Sequence, residues 1–390
     1  MPFPRFPDIT GPAWPQGGRE TLTPSKLHYY AGIMRMKNSR GTKITSLSNS
    51  GIAELLAVAA DSAKMPLQKA LRRASRKAFL WPEEAAALVR GNRPLTDLPG
   101  VGPTLSRIIR GWIEHPPEVP NPPEIRKRFL TVVEARRALA KQPAWSARLT
   151  GDLQMHTQWS DGSGSIEEMA RAGSERGYQF IAITDHSKGL KIAGGINEEQ
   201  LRGQAEEIDA VNARLRSDGS SLRVLKSIEL NLSPSGDGDM DSGALKSLDL
   251  VLGCFHSALR KKEDQTDRYI AALRNPNIHI LGHPRGRIYN FRLGLNADWK
   301  RIFDTAAELD KAVEIDGYPD RQDLSLDLLK LAKQSGCRIS FGTDAHDPAQ
   351  LRFMDFSLAA AALAGVNPEK ILNFMTSDEL LTWAAGVRNR

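Results

Sequence analysis

The sequence predicts an α/β protein in which a small all-α unit precedes a closed barrel of alternating strands and helices. From about residue 149 onward, short apolar runs alternate with amphipathic segments of helical period, a pattern typical of parallel strands joined by crossover helices. Most of these apolar runs end in His, Asp or Glu. Only a closed barrel brings the carboxyl ends of all its strands to one point, which favours it over an open sheet.

Composition divides the chain into four parts. Residues 1–45 are rich in Pro, Gly and Arg without an apolar period, and we expect them to be disordered. Residues 46–115 have helical patterns and are predicted to form an all-α domain. Residues 116–148 begin with a run containing five prolines, which predicts a stiff linker, and end in a helix. Residues 149–390 form the expected barrel.

Local signals make three helix predictions that can be checked residue by residue. Ser50 is the expected cap of the first helix, and Pro82 is expected in the first turn of a later one. Residues 124–140 are predicted to form one helix that leads into the barrel.

Charge is unevenly divided along the chain. Residues 1–150 hold 24 Lys and Arg against 11 Asp and Glu, whereas residues 151–390 hold 29 against 35. A basic front half favours a polyanionic partner, because clustered cations release counterions from phosphates. A solvated basic surface is an equally good interpretation of charge alone.

Several classes of protein are disfavoured by composition. The apolar runs fall short of the roughly 20 residues that cross a bilayer, and the first residues lack the apolar segment of a secretory signal. Cys254 and Cys337 are expected to be buried small hydrophobes and not a disulfide framework. We expect a cytoplasmic protein, monomeric as a working assumption, without a membrane partner.

Residues at the ends of the apolar runs predict a metal centre. Gln154 and His156 alternate, so they share one face of an extended chain. Five of the eight histidines lie at run ends. One such histidine is more often a core or surface residue, but the repetition indicates metal binding. The candidate ligands are Gln154, His156, Asp161, His186, Glu229, His256, His283, Asp344 and His346.

Residues 151–360 resemble the PHP (polymerase and histidinol phosphatase) family through the motifs LQMHTQWSDG, AITDHS, SIELNLSPSGDGDMD, LGCFHS, LGHPRGR, VEIDGYPDRQDLSL and FGTDAHD. The resemblance implies a distorted barrel of seven βα units that holds up to three metal ions. It assigns the ligands in three sets: His156, Glu229 and Asp344; then Glu229, His256 and His283; then Asp161, His186 and His346.

Gln154 departs from the family pattern, which usually begins His-x-His. An amide oxygen is a weaker metal donor than imidazole, so this position is expected to bind loosely or to prefer Mn²⁺ over Zn²⁺. Alternatively, Gln154 only hydrogen-bonds a water on the metal. Mn²⁺ and Zn²⁺ are the expected cofactors, with Fe²⁺ and Mg²⁺ as further options.

The expected substrate is a phosphoester. Paired divalent cations lower the pKa of a shared water and neutralise charge on phosphoryl oxygens. Arg285 and Arg321 follow ligand motifs and are predicted to clamp the phosphate; with Glu229 and Asp344 they are the candidate catalytic residues. Lys188 is as well explained by a surface ion pair.

Two other features are interpreted as structural. His279 is expected in the core or on the surface, not on a metal. The sequence GDGDMD at 236–241 lacks the glutamate of a calcium loop and is interpreted as a turn.

Residues 98–102, LPGVG, followed by a helix from Pro103 to Ile113, resemble the hairpin of a helix-hairpin-helix DNA-binding motif. Glycines allow the tight turn, and amides at the next helix N-terminus can face a phosphate. The candidate DNA contacts are Gly100, Val101, Gly102 and Thr104, which would position DNA without reading its sequence. A structural helix turn is the alternative.

Together the two domains resemble the ends of bacterial family X DNA polymerases without the polymerase palm. The resemblance implies a metal-dependent phosphoesterase acting on DNA, either a 3′–5′ exonuclease or a 3′-end phosphatase in repair. The alternatives are a small-molecule phosphatase of the histidinol phosphate type and a non-catalytic DNA-binding protein.

Overall fold

The computed structural model describes residues 46–389. The disorder expected for residues 1–45 lies outside these described residues. The described chain forms an all-α unit followed by a parallel barrel, which confirms the predicted fold class.

The all-α unit contains four α-helices, α1 (Asn49–Ser62), α2 (Leu67–Lys77), α3 (Ala85–Arg90) and α4 (Pro103–Glu114), and two 3₁₀ helices at Ala78–Leu80 and Leu95–Asp97. Their apolar faces enclose one core, in which Ile52, Leu56 and Trp81 are fully buried. Two of the local predictions need correction. Ser48 caps α1 in place of Ser50, because its hydroxyl accepts from the Gly51 amide. Pro82 precedes α3, which begins only at Ala85.

The segment between the two units does not form the single helix predicted over 124–140. A 3₁₀ turn covers Glu124–Arg126, and the α-helix α5 (Val132–Ala140) begins after an extended stretch. A reciprocal capping box stops the helix from starting earlier: the Thr131 hydroxyl accepts from the Glu134 amide, while the Glu134 carboxylate accepts from the Thr131 amide. A further short helix, α6 (Pro143–Arg148), follows. α5 packs into the core of the barrel and is not a free linker.

The barrel has eight strand segments in seven positions. They are β1 (Gly151–Asp152), β2 (Phe180–Ile183), β3 (Arg223–Lys226), β4 (Glu229–Asn231), β5 (Leu252–Cys254), β6 (Ile280–Leu281), β7 (Ala312–Asp316) and β8 (Arg338–Gly342). All paired strands are parallel, in the orders β1-β2-β3 and β4-β5-β6-β7-β8. β3 and β4 are two parts of one interrupted strand, since β2 pairs with β3 and, just beyond β2, His186 bridges to Glu229 at the start of β4.

Backbone hydrogen bonds between β8 and the residues after β1 close the ring. The Leu153 amide donates to the Phe341 carbonyl, the Asp344 amide to Gln154, and the His156 amide to Ala345. The surrounding helices are α7 (Ile166–Glu175), α8 (Glu198–Ser217), α9 (Ser242–Lys246), α10 (Thr266–Arg274), α11 (Trp299–Glu308), α12 (Leu326–Ser335), α13 (Met354–Ala364) and α14 (Ser377–Arg388). α14 covers the amino-terminal end of the barrel, where Trp383 contacts His279.

Tyr289, from the loop after β6, attaches the all-α unit to the barrel. Its ring is buried in the core of the all-α unit, at 4.7 Å from the Phe79 centroid and 5.2 Å from the Phe129 centroid. Its hydroxyl lies 3.1 Å from the Ser75 hydroxyl. Beside it, Arg126 forms a nearly buried bidentate pair with Glu54. The two units therefore share a packed interface, with no hinge at this point.

We expect Tyr289→Ala to lower the free energy of unfolding by about 3–5 kcal/mol, because it empties an aromatic pocket between the two units. Tyr289→Phe keeps the ring and should cost only ~1 kcal/mol for the lost hydrogen bond. Urea denaturation measures both. Limited proteolysis should release the all-α unit from the alanine variant first, and equal resistance of the two variants would contradict the packed interface.

Candidate metal centre

Five histidines and three carboxylates converge at the carboxyl-terminal end of the barrel. One ligand atom from each member lies within 4.8 Å of the others in four overlapping groups. The groups are His156, Asp161, His186 and His346; His186, Glu229 and His256; Glu229, Cys254 and His283; and His156, Glu229 and Asp344. Every His, Asp and Glu on the predicted ligand list belongs to at least one group.

Glu229 is the shared member of three groups. Its Oε1 atom lies 2.8 Å from Nε2 of both His256 and His283. Its Oε2 atom lies 3.2 Å from His156 Nε2, which is also 3.0 Å from Asp344 Oδ1. Asn231 Oδ1 lies 3.1 Å from His256 Nδ1 and so fixes the orientation of that ring. The Glu229 carboxylate thus lies between His156 and Asp344 on one side and His256 and His283 on the other, which are the two ligand sets that share it in the family resemblance.

Asp161 is the centre of the remaining set. Its Oδ1 atom lies 3.5 Å from His186 Nε2 and 3.4 Å from His346 Nε2. His346 can donate from Nδ1 to the Asp344 carbonyl at 2.7 Å, which leaves Nε2 with its lone pair toward Asp161. The three residues therefore face one point from three different loops.

These side chains fit divalent metal ions. The nitrogen–oxygen distances of 3.5 Å between His186 and Asp161 and 3.6 Å between His186 and Glu229 are too long for good hydrogen bonds. They match the edge of a tetrahedron with metal–ligand bonds near 2.1 Å, about 3.4 Å. In addition, Nδ1 of His156 and of His186 is buried without a hydrogen-bond partner. Divalent cations between these atoms would give the imidazole nitrogens and carboxylate oxygens the partners that the protein does not supply.

The two central carboxylates are held in their charged forms. Burial alone would raise the pKa of Glu229, but the surrounding histidines, first His186 and His283, hold it well below its usual range. Burial also opposes ionisation of Asp161, and His346, His156 and His186 keep its pKa low. The site therefore presents negative charge to an incoming cation.

Gln154 lies in this cluster but does not present its oxygen to it. Its side-chain nitrogen donates to Glu229 Oε2 at 3.0 Å, and its Oε1 atom is buried without a partner. Where the family usually has an imidazole, this chain therefore has a donor that steadies Glu229. A ligand role for Gln154 stays a prediction, and it would require the amide group to turn over.

Arg321, Arg285 and Lys188 differ in how closely they approach the ligands. The Arg321 guanidinium contacts the Asp344 carboxylate and lies 3.6 Å from Asp316. The Nε atom of Arg285 is buried without a hydrogen-bond partner. Lys188 is exposed and pairs with Glu198 at 2.6 Å. Lys188 therefore forms a surface ion pair, and a phosphate role for the two arginines stays a prediction.

Sequence reasoning missed the buried acids behind the ligands. Glu314 and Asp316 both lie on β7 and are fully buried. Burial raises the pKa of Glu314 to about 7, although its carboxylate accepts from the His283 amide at 2.7 Å. Burial likewise raises the pKa of Asp316, against the charge of Arg321. Their alternation in the sequence VEID signals one shared face, which points into a closed barrel.

A further missed residue, Asp185, organises the loop that carries Asp161. Its carboxylate accepts from the Thr157 amide at 2.8 Å, the Thr157 hydroxyl at 2.6 Å and Gln204 at 2.7 Å. The signal in the sequence that could have identified Asp185 was its position in the motif TDHS, directly before the candidate ligand His186. These bonds fix the backbone between His156 and Asp161.

The remaining side chains have structural surroundings. His279 is buried; its Nδ1 accepts from the Val251 amide at 3.1 Å. The loop at 236–241 forms a turn in which Asp239 accepts from the Ser187 hydroxyl. Both cysteines are buried and free. Burial raises the pKa of Cys254 well above its usual value, and its thiol lies beside Glu229 and His283, a proximity that sequence reasoning did not foresee.

The predicted DNA contacts lie in one exposed hairpin. Gly100 has a positive φ of 80°, and Gly102 has open space around it at the start of α4. Gly100 and Thr104 are exposed, whereas Val101 is buried and can offer only its backbone. Trp81 anchors the hairpin by donating to the Pro99 carbonyl at 3.1 Å.

Comparison with known proteins finds similarity over part of the chain. Residues 152–339 match the family model of the PHP domain. The DNA polymerase/3′-5′ exonuclease PolX of Bacillus subtilis (strain 168) is 37% identical over 227 residues, which are 58% of this chain and 39% of that protein. The chain thus spans well under half of that relative's length.

Two further proteins are similar to part of the chain. A probable phosphatase of Thermoanaerobacter sp. (strain X514) is 28% identical over 241 residues, covering 58% of this chain and 91% of the relative. A crystal structure of histidinol phosphate phosphatase from Lactococcus lactis subsp. lactis Il1403, with zinc, L-histidinol and phosphate, covers 56% of this chain and 94% of its own at 18% identity and a TM-score of 0.41. Among residues 46–389, no helix has the length and apolar character to span a bilayer.

We expect Glu229→Gln to reduce the metal content sharply, because Glu229 faces both the His156 and the His256/His283 sets. Inductively coupled plasma mass spectrometry after loading with Mn²⁺ or Zn²⁺ should find mainly the ion at Asp161. His279→Gln, at a buried histidine away from the cluster, is the matched control and should keep the full content. Equal metal content in the two variants would refute the shared role of Glu229.

A second prediction concerns acid stability. Burial, followed by the charges of Arg388 and Lys311, lowers the pKa of His279 to about 3. In the unfolded chain this pKa returns to roughly 6.5. Between these values only the unfolded state takes the proton, so the contribution of His279 to stability is complete above pH 6.5 and falls as the pH decreases.

We therefore expect the wild type to lose about 2 kcal/mol more than His279→Gln between pH 7 and pH 5. Urea denaturation in EDTA removes metal loss from the comparison. His115→Gln, at an exposed histidine, should behave like the wild type. Parallel pH profiles for the wild type and His279→Gln would contradict the prediction.

Proposed function

We propose that this chain, which carries a PHP domain over residues 152–339, is a metal-dependent phosphoesterase that acts on DNA. The activity is a 3′–5′ exonuclease or a 3′-end phosphatase in repair, supported by Mn²⁺. The observation that carries the proposal is the fixed attachment of the hairpin-bearing unit to the site: Tyr289, buried in that unit, lies six residues after the candidate ligand His283.

The ligand cluster supports the hydrolytic part of the proposal. Divalent cations, when bound, supply a water of lowered pKa and neutralise charge on the phosphoryl group. Glu229 orients His256 and His283, and Asp344 is positioned by Arg321. In this proposal Arg285, whose Nε atom has no partner, binds a phosphate oxygen of the substrate.

The all-α unit supports the DNA part. Its hairpin leaves Gly102 and the first turn of α4 exposed, where backbone amides can donate to a phosphate. The Lys77 side chain lies against Gly100 and adds positive charge at the turn. Contacts of this kind hold the DNA backbone without reading bases, so the proposed binding is independent of sequence.

A small-molecule phosphatase is the second candidate function. One observation favours it: the match to a probable phosphatase covers 91% of that protein, so that relative has little beyond the matched 241 residues. For such a substrate the basic unit would serve another purpose. The two candidates differ in whether the all-α unit contributes to turnover.

The test is digestion of 3′-labelled and 5′-labelled oligonucleotides, single-stranded and gapped, with Mn²⁺ or Zn²⁺. Histidinol phosphate and a generic phosphomonoester are assayed in parallel. We expect stepwise shortening from the 3′ end, and a loss of at least ~100-fold in His256→Ala, because mutating only the hydrogen-bond partners of metal ligands already costs about 10–100-fold. His279→Gln should retain activity.

Other outcomes separate the alternatives. Hydrolysis of a phosphomonoester with intact DNA would favour the small-molecule phosphatase. No hydrolysis of any substrate, with metal bound and DNA bound, would leave a non-catalytic DNA-binding protein and refute the proposed activity.

A further inference from the structure

Two neighbouring loops extend from candidate metal ligands and carry side chains that the site does not use. The loop after β5 follows His256 and contains Arg260, Lys261 and Lys262, here called the basic loop. The loop after β6 follows His283 and contains Phe291. Leu259 lies against Gly286, so the two loops are in contact beside the metal centre.

Phe291 is held at the tip of a small hairpin. The Ile288 amide donates to the Arg292 carbonyl at 2.8 Å, and the Arg292 amide donates back to Ile288 at 2.9 Å. The Asn290 amide donates to the Ile125 carbonyl, and its side chain accepts from Arg126. Tyr289 anchors one side of this hairpin in the all-α unit, while Phe291 on the other side is 40% exposed. A large apolar ring is thus fixed toward solvent on a braced turn.

The surroundings of Phe291 are positively charged. The Arg260 guanidinium lies 4.6 Å from the centre of its ring. The three basic-loop residues are exposed, and no carboxylate of residues 46–389 forms an ion pair with them. Glu263 and Asp264 follow the basic loop directly in the sequence. The Asp264 carboxylate accepts from the Thr266 amide at the start of α10 and not from the basic loop.

The Arg292 side chain, next to Phe291, donates to the Gly286 carbonyl, three residues after the candidate ligand His283. Burial and the charges of Arg321 and Arg260 lower the pKa of Arg292 to about 10, whereas Asp323 and Asp320 act in the opposite direction, so two acids as well as two arginines lie near it. Arg321 in turn contacts the candidate ligand Asp344. Arginines therefore lie both at the metal centre and beside the Phe291 ring.

We propose that Phe291 and the basic loop form a subsite for single-stranded DNA, with an unpaired base stacked on the Phe291 ring and the adjacent phosphates paired with Arg260, Lys261 and Lys262. The inference rests on the proposed action on DNA and names the substrate form it takes. Every base has a face that can stack on an aromatic ring, so such a platform tolerates any sequence. Bases inside a duplex are already stacked on both faces, so the subsite favours unpaired bases over duplex.

The experiment measures binding without turnover, by fluorescence anisotropy of a labelled oligothymidylate in EDTA with the full chain. Phe291→Ala should weaken binding about tenfold, and Phe291→Trp should restore it. Leu363→Ala, at an apolar residue on α13 that is 46% exposed, is the matched control and should bind as the wild type does. Affinity for a blunt duplex should be unchanged in all three.

The basic loop is tested by the salt dependence of the same binding. In R260A/K261A/K262A the slope of log affinity against log salt should fall by ~2, at ~0.7 for each lost phosphate contact on a single strand. With Mn²⁺ present, Phe291→Ala should raise KM for the oligonucleotide at constant kcat and leave a small phosphomonoester unaffected.

The outcomes separate the subsite from the proposed function. Binding and KM of Phe291→Ala equal to the wild type, with DNA still cleaved, would overturn the subsite and leave the DNA phosphoesterase in place. Loss of oligothymidylate binding in Phe291→Ala, with no hydrolysis of DNA under any metal, would support the subsite and remove the proposed activity.

Discussion

The buried carboxylate of Glu229 lies within 3.2 Å of nitrogen atoms from His156, His256 and His283, and the centre is organised around it. A charged carboxylate in the protein interior is costly unless it is paired, so each of these rings contributes to keeping the residue ionised and inside. Glu229 also begins β4, at the point where the interrupted strand crosses from one hydrogen-bonded sheet to the other. The same residue therefore joins the geometry of the barrel to the charge of the site.

The ligands depend on a second layer of polar groups beneath them. Asp185 holds the loop that carries Asp161, and Glu314 accepts from the His283 amide. His283 and Asp344 both have positive φ angles, of 22° and 52°, which are uncommon for residues with side chains. Such conformations persist only where surrounding contacts over-determine them. The barrel thus uses buried hydrogen bonds to hold ligands in positions that the local backbone would not choose.

The all-α unit is a fixed part of the same surface. Tyr289 and the Arg126–Glu54 pair join it to the loop after β6, which also carries the exposed ring of Phe291. A polyanion bound to the unit would therefore meet the metal centre at a constant distance, since no hinge lies at this contact. That arrangement suits a substrate longer than a single phosphate ester and gives physical content to the proposed action on DNA.

The sequence by itself determined the alternation of strands and helices, the strand-end position of the candidate ligands, and the hairpin at Gly100–Gly102, because each is written in local spacing and residue type. Tertiary structure decided what depends on distant partners. The orientation of the Gln154 amide toward Glu229, the burial of Glu314 behind His283, and the insertion of Tyr289 into another unit require strand register and barrel closure. The helix predicted over 124–140 shows the same limit at short range. Helical period did not reveal that the Thr131–Glu134 capping box starts this α-helix only at Val132. The hydrophobic periodicity of the sequence identifies which residues share one face of a helix or strand. Which faces then contact each other is determined only by the closure of the barrel.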